Sequence, residues 1–356
     1  MATTGGRNIT NSSGQSNSTG KDVSNREDLA NFITMITRDE TPFLASIGKS
    51  KSTNIYHEWQ TDELQAPGNS RVAEGTDFLS AGTSPASGDG AASTIVGPFR
   101  TRLGNYTQIN SKVISVSGSR RALDQAGVAD EYAYQLKKRG TEMRRDMEFD
   151  LINTYNKQTS TGARKTGGYQ SFINSNDTCV FKGAFTQPAT PNTGVTSITV
   201  ASGAAKASLA LTDIDSVMQK IYEAGGKATR VMVSPKLRRD FSDLLISDTG
   251  VQRNIDDSGK LRQSVDVYMS DFGDLMVVPN YIMGLASTTT DATTTQFNAK
   301  DSCALVYDPM WFAMATFRPM QEVEVGQKGD STVGMFVEEW SLEVKNPKGC
   351  GAIYGL

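Results

Sequence analysis

Histidine occurs once in this chain, at His57, and cysteine three times, at Cys179, Cys303 and Cys350. One imidazole with no second one and no nucleophile beside it specifies neither a hydrolytic triad nor a metal site, so His57 reads as an ordinary strand residue. Three widely spaced thiols with no Cys-x-x-Cys step exclude a disulfide framework and a zinc ribbon, and they fit a reducing cytoplasm. No apolar run approaches the ~20 residues that span a bilayer. The polar opening MATTGGRNITNSSGQSNSTG is no signal peptide. The expectation is a soluble protein made in the cytoplasm, without a membrane partner, whose Asn-x-Ser/Thr triplets such as Asn8-Ile9-Thr10 carry no glycan. Excess charge of one sign is missing too: 36 Lys and Arg stand against 39 Asp and Glu, a formal −3. That leaves no bulk basic field to collect nucleic acid. Hydrophobic content of 37% is low for a compact enzyme of 356 residues, and 33 glycines imply much loop or extended arm.

The most ordered stretch runs from Asp130 to Asn156. Tyr132, Leu136, Met143, Met147, Leu151 and Tyr155 step by fours and sevens, which keeps them on one face of an α-helix. Gly140 lies on the same stripe, where a missing side chain would let another backbone approach. Lys137, Lys138, Arg144 and Arg145 occupy the opposite face, with Glu142, Asp146, Glu148 and Asp150 among them. At 1.5 Å per residue this is a spine of about 40 Å, longer than an ordinary globular helix.

Upstream, residues 1–25 have the Ser/Thr/Asn/Gly composition of a flexible arm, which orders only against something else. A helix is expected at 26–38, capped by Ser24 or Asn25 and broken by Thr41-Pro42, with a short second piece ending at Gly48. Residues 52–62 and 99–117 read as strands. The polar 63–98 between them suits the tip of a long hairpin better than a structureless loop. That tip holds Glu63, Glu74, Asp77 and Asp89 against Arg71, a net of −3. A hairpin that buries little of itself needs a partner surface. Downstream, 174–211 cannot be placed well. Residues 212–284 read as a self-contained α/β lobe: a helix capped by Thr212 and stopped at Gly225-Gly226, the strand TRVMVS, and a helix opened by Ser234-Pro235. Two strands about the Asp271-Phe272-Gly273-Asp274 turn complete it. The tail 302–356 returns to short alternating strands punctuated by Pro309, Pro319 and Gly329-Asp330.

No enzyme signature survives inspection. GARKTGG (162–168) follows a helix rather than a strand and carries Gly168 where a phosphate loop needs lysine. Asn254 to Gly259 resembles half a calcium loop but lacks the closing glutamate. No spacing of carboxylates singles out an acid/base pair. Catalytic, cofactor and metal sites are therefore not expected.

The order of arm, hairpin, spine helix, α/β lobe and returning strands resembles the major capsid proteins of tailed double-stranded DNA bacteriophages, the α+β Hong Kong 97-like fold. DLANFITMITRDETPFLASIGKSK, FGDLMVVPNYIM and MQEVEVGQKGDSTVGMFVEEWSLEVKNPKGCGAIYGL resemble one subgroup of phage head proteins, and the likeness covers nearly the whole chain. It implies an N-terminal arm with short helix at 1–50 and an extended E-loop hairpin at 51–117. A peripheral domain with the spine helix would take 118–211 and 285–356, and an axial domain 212–284. The implied function is structural. Copies self-assemble as hexamers and pentamers into an icosahedral head enclosing the genome without sequence-specific binding. The implied location is the virion, assembled in the host cytoplasm, with a portal and scaffold or decoration proteins as further partners. In such a shell Glu58, Asp62, Arg71, Glu74, Arg100 and Arg102 could set register against Lys137, Arg144 and Arg145 of an adjacent subunit; the plain alternative for each is a solvated side chain. Residues 52–111 contain no lysine. The hairpin thus lacks the lysine some family members use for Lys–Asn crosslinks, which implies a noncovalent shell. The rival readings are an encapsulin-like nanocompartment enclosing protein cargo and, from another class, a phage tail or adhesion protein.

Overall fold

The structure, a computed structural model, describes residues 33, 35–64, 74, 100–123, 127–152, 156–158, 163–173, 178–182, 185–186, 199–200, 207–248, 266–284 and 303–356. The arm at 1–25, its cap at Ser24 or Asn25 and the Asn254–Gly259 turn lie outside them, as does nearly all of the hairpin tip. Of the helix expected at 26–38, residue 33 and residues 35–38 are described, and they are not helical. Ile33, Met35 and Ile36 are exposed there, so the described part of the apolar stripe is not packed on the body. A helix this short is marginal without such packing.

Order begins at α1 (Pro42–Ser46), followed by β1 (Gly48–Lys51), β2 (Tyr56–Thr61), β3 (Thr101–Tyr106) and β4 (Gln108–Ser117). The single strand expected at 99–117 is thus two, parted at Thr107. The first, β3, pairs only with β2, while β4 leaves to pair with a tail strand. Two short helices, α2 (Gly118–Ala122) and α4 (Tyr169–Ile173), flank the spine α3 (Glu131–Ile152). At 22 residues the spine spans about 33 Å. The expected stripe buries its C-terminal half, Met143, Met147 and Leu151, with Ile152 added; Tyr132 and Leu136 are half-buried, and Tyr155 lies outside the described residues. Gly140 does not admit a backbone: an added Cβ would meet only the Phe336 ring, at 3.8 Å.

After the spine come the short strands β5 (Val180–Phe181), β6 (Phe185–Thr186) and β7 (Thr199–Val200), then α5 (Leu211–Glu223), β8 (Arg230–Val233) and α6 (Pro235–Asp248). The cap of α5 is not Thr212; the Asp213 carboxylate accepts from the Ala210 backbone N–H at 2.8 Å. Its end falls where glycine permits a positive φ, at Gly225 (φ 79°). Ser234 Oγ accepts from the Leu237 N–H at 3.3 Å, capping α6 as expected. An antiparallel pair, β9 (Val267–Ser270) and β10 (Gly273–Pro279), precedes the tail strands β11 (Cys303–Tyr307), β12 (Phe312–Lys328), β13 (Ser331–Val344) and β14 (Gly351–Tyr354). Pro319 does not end a strand. It lies inside β12 where the register with β13 skips from Arg318↔Glu339 to Gln321↔Val337, so no ladder bond is asked of its missing N–H.

Two larger sheets result, ordered β1-β12-β13-β4 and β5-β14-β11-β8-β10-β9, beside the two-stranded pairs β2-β3 and β6-β7. The six-stranded sheet crosses the expected boundaries at 211/212 and 284/285, so the 212–284 lobe is not self-contained. Its central strands are apolar on both sides because both faces are covered. On one face Leu275, Val277, Val231, Val306 and Ile353 pack with α5 and α6. On the other, Leu305, Tyr307 and Tyr354 pack with α1, α3, α4, the start of β12 and the end of β13.

Candidate functional site

The hairpin root is where an extended element meets the body. Trp59 is buried and its ring lies 6.0 Å from that of Phe172 on α4. Asn105 is fully buried. Its amide Nδ2 donates to Thr166 Oγ1 (2.9 Å), Gly167 O (3.1 Å) and Leu342 O (2.9 Å), and its Oδ1 accepts from the N–H groups of Gly167 (2.8 Å) and Tyr106 (3.0 Å). One side chain thereby joins β3, the loop after the spine and β13, with its polar atoms satisfied as burial demands. Lys157 Nζ donates to Gly104 O at 2.8 Å and lies over the Tyr56 ring; burial lowers its pKa. His57 pairs with Glu343 at 3.3 Å, and Ser50 Oγ donates to the same carboxylate at 2.7 Å. The His57 hydrogen bond, ahead of the one from Ser50, holds the Glu343 carboxyl below the usual glutamate range.

A second junction centres on Glu339 of β13, whose side chain is 3% exposed. Its carboxylate accepts from Arg164 (2.6 Å), from Arg318 Nε (2.9 Å) and from Thr107 Oγ1 (2.7 Å). Thr107 is the residue that parts β3 from β4, so the break in the strand is bonded in place. The GARKTGG loop, which fails as a phosphate site, is the dock: Arg164 reaches Glu339, and Thr166 and Gly167 reach Asn105.

The third junction ties down the N-terminal segment. Phe43 is fully buried, edge-on to Tyr169, Tyr307 and Phe312 with ring centroids 5.9, 5.2 and 5.5 Å away, and β1 runs parallel to β12. The Thr41 side chain does not cap α1. Glu148 of the spine does so instead: its oxygens accept from the N–H groups of Phe43 (2.9 Å) and Leu44 (2.6 Å), while Asn280 Nδ2 donates to it at 2.7 Å. Glu148 was expected on the polar face and is fully buried. Burial pushes its carboxyl up to about 7 against the opposing pull of those three bonds. Burial likewise raises Asp150, expected on the same polar face, to about 6.

The charged residues singled out in the sequence fall elsewhere. Glu58 pairs with Arg102 (3.8 Å) and Asp62 with Arg100 (3.3 Å), both within the hairpin itself. Glu74 is exposed at a turn, and Arg71 lies outside the described residues. Lys137 and Arg144 are exposed on the spine and Arg145 is half-buried. The charge of Arg144 acts on Glu338, where burial raises the carboxyl and Arg144 opposes the shift. Asn105, Glu148, Asn280 and Glu339 had no motif to mark them. For Glu148 one signal existed: Met147, Leu151 and Ile152 surround its helical arc.

These junctions hold parts together. The three thiols are buried, and burial pushes Cys350 well up. Among the described residues no cluster of His, Cys, Asp or Glu could hold a metal ion, and no helix is long and apolar enough to cross a membrane. Compared with known families, residues 8–356 match the model described as SU10 major capsid protein. The chain belongs to the SU10 major capsid protein family. Within that setting it is similar to the major capsid protein of Escherichia phage Phieco32, 27% identical over 260 residues that cover 65% of this chain and 70% of the relative. Its fold is similar to the capsid structure of cyanophage P-SCSP1u, with TM-score 0.54, 12% identity and 92% of each chain covered. A structure from Mycobacterium phage Bobi gives 0.56 at 12% identity, covering 92% and 95%. The mature capsid of bacteriophage PhiM1 gives 0.54 at 12% identity, covering 94% and 92%. For an SU10-family capsid chain the Hong Kong 97-like α+β fold is the one these neighbours support, and a nanocompartment shell is not favoured.

Proposed function

We propose that this capsid protein works as a tile whose hairpin and N-terminal arm lie across identical copies, closing hexamers and pentamers into a shell around double-stranded DNA. The observation that carries this is the hairpin: β2 and β3 form a two-stranded sheet of their own, locked at the root by buried bonds. A lone pair of strands is marginal in water, so a reinforced root is useful when the strands it carries have a neighbour to lie on. In this reading 1–50 acts as the arm, 51–117 as the E-loop, 118–211 with 285–356 as the peripheral domain and 212–284 as the axial domain. The flank pairs Glu58–Arg102 and Asp62–Arg100 keep the hairpin in register. Arg71 and Glu74 near its tip, with Lys137, Arg144 and Arg145 on the spine, meet the adjacent copy. A portal and scaffold or decoration proteins complete the head, which is assembled in the host cytoplasm. Nuclease-protected nucleic acid inside purified particles supports the reading; particles filled with protein and free of DNA would overturn it.

A further inference from the structure

Glu148 is unusual in being a fully buried carboxylate that faces no cation. The spine contributes Arg144 and Arg145 one turn earlier and Ile152 one turn later. The 42–46 segment contributes only backbone N–H groups, and the residues after β10 contribute the Asn280 amide. Across the core, Tyr307 of β11 feels its charge and is in turn influenced by Arg230 of β8. Burial and three hydrogen bonds, two from the segment and one from Asn280, are what act on the carboxyl; no charged side chain offsets it. Residues 35–40 are exposed and α1 is five residues long. Attachment rests on buried Phe43 and Ile47, on β1 along β12, on the Ser50 Oγ bond to Glu343 and on this carboxylate, 105 and 104 residues away in sequence.

We propose that Glu148 is a proton-operated latch on the N-terminal segment, which sets how readily residues 41–51 lift from the spine and hence how free the arm before them is to reach elsewhere. The proton sits more tightly when the segment is docked, where burial opposes ionisation, than when it has lifted and water reaches the carboxylate. Docking raises the pKa from the 4.5 of an exposed glutamate to about 7. A raised acid pKa favours the docked state fully below the lower value, and that contribution is lost as pH rises through the higher one. Acid therefore closes the latch and alkali loosens it. Linkage between those two values makes the opening constant rise about tenfold from pH 6 to pH 8.

The latch does not depend on what the arm does once free, so it is tested apart from the shell reading. Amide hydrogen exchange of the full-length chain, corrected for the intrinsic rate at each pH, is compared for peptides spanning 41–51 and for β8 and β11. The expected result is that protection at 41–51 falls about tenfold between pH 6 and 8 while β8 and β11 are unchanged. In Glu148→Gln, which is neutral at both values, the ratio should stay near one. A wild-type ratio near one, an equal fall in β8 and β11, or an equally steep fall in E148Q would overturn the proposal. Should E148Q not fold, the wild-type comparison of the segment with β8 and β11 decides alone.

Discussion

Asn105 uses both ends of its amide inside the protein, so few replacements can serve it. Alanine would leave Gly167 N–H and the carbonyls of Gly167 and Leu342 without that partner in a dry setting, each such loss worth about 1–3 kcal/mol. Asn105→Ala should lower stability by about 3 kcal/mol overall, read as a lower midpoint in chemical denaturation. A midpoint within experimental error of wild type would show the root is not held this way. Residues of this kind were illegible in the sequence for a physical reason: Asn105 finds Leu342 from 237 positions away, and no local pattern encodes such a meeting. His57 was expected as a strand residue, and it does sit in β2 with its ring beside that of Trp59. Glu148 was misread because its own polarity placed it on the solvent side of the wheel, whereas three donors from distant segments make its burial tolerable.

At the scale of elements, two glycines that look alike behave differently. Gly140, in mid-spine, has open room for a methyl group. Gly140→Ala should stabilise the protein by about 0.5–1 kcal/mol through helix propensity and a stiffer unfolded chain. Gly334, on β13, has no such room, since a Cβ there would collide with the Tyr132 hydroxyl. That hydroxyl is bonded to Glu322 at 2.7 Å. Gly334→Ala should destabilise by about 1–3 kcal/mol as the ring is displaced. Thermal melts of the two variants should therefore move in opposite directions, and a shared direction would contradict the packing. The spine, α1, α5, α6 and the β9–β10 turn were readable because period, caps and glycine stops are local signals. The break at Thr107 and the bulge at Pro319 were not, because they are set by which strand lies alongside. The sequence around Thr107 continues to alternate while its hydrogen-bond partners change from β2 to β13.

For the whole molecule, the hairpin strands, the spine and the helices and strands after it follow in the chain order the sequence suggested, and the resemblance to phage head proteins came from that order together with whole phrases. What could not be read was how much of the lobe is shared: β11 and β14, contributed by the tail, complete its sheet, so the chain's end is built into its middle. Copies of such a tile should be held together without covalent links, since the hairpin has no lysine between 52 and 111. Particles boiled in reducing detergent should run as a single band at the monomer mass of 38.4 kDa, and a ladder above it would refute this. The most direct measurement is electron microscopy of the purified full-length protein at rising concentration. The account predicts closed icosahedral shells in which density for the hairpin tip lies on a neighbouring copy. Monodisperse single chains at every concentration, with the tip folded back on its own spine, would contradict it.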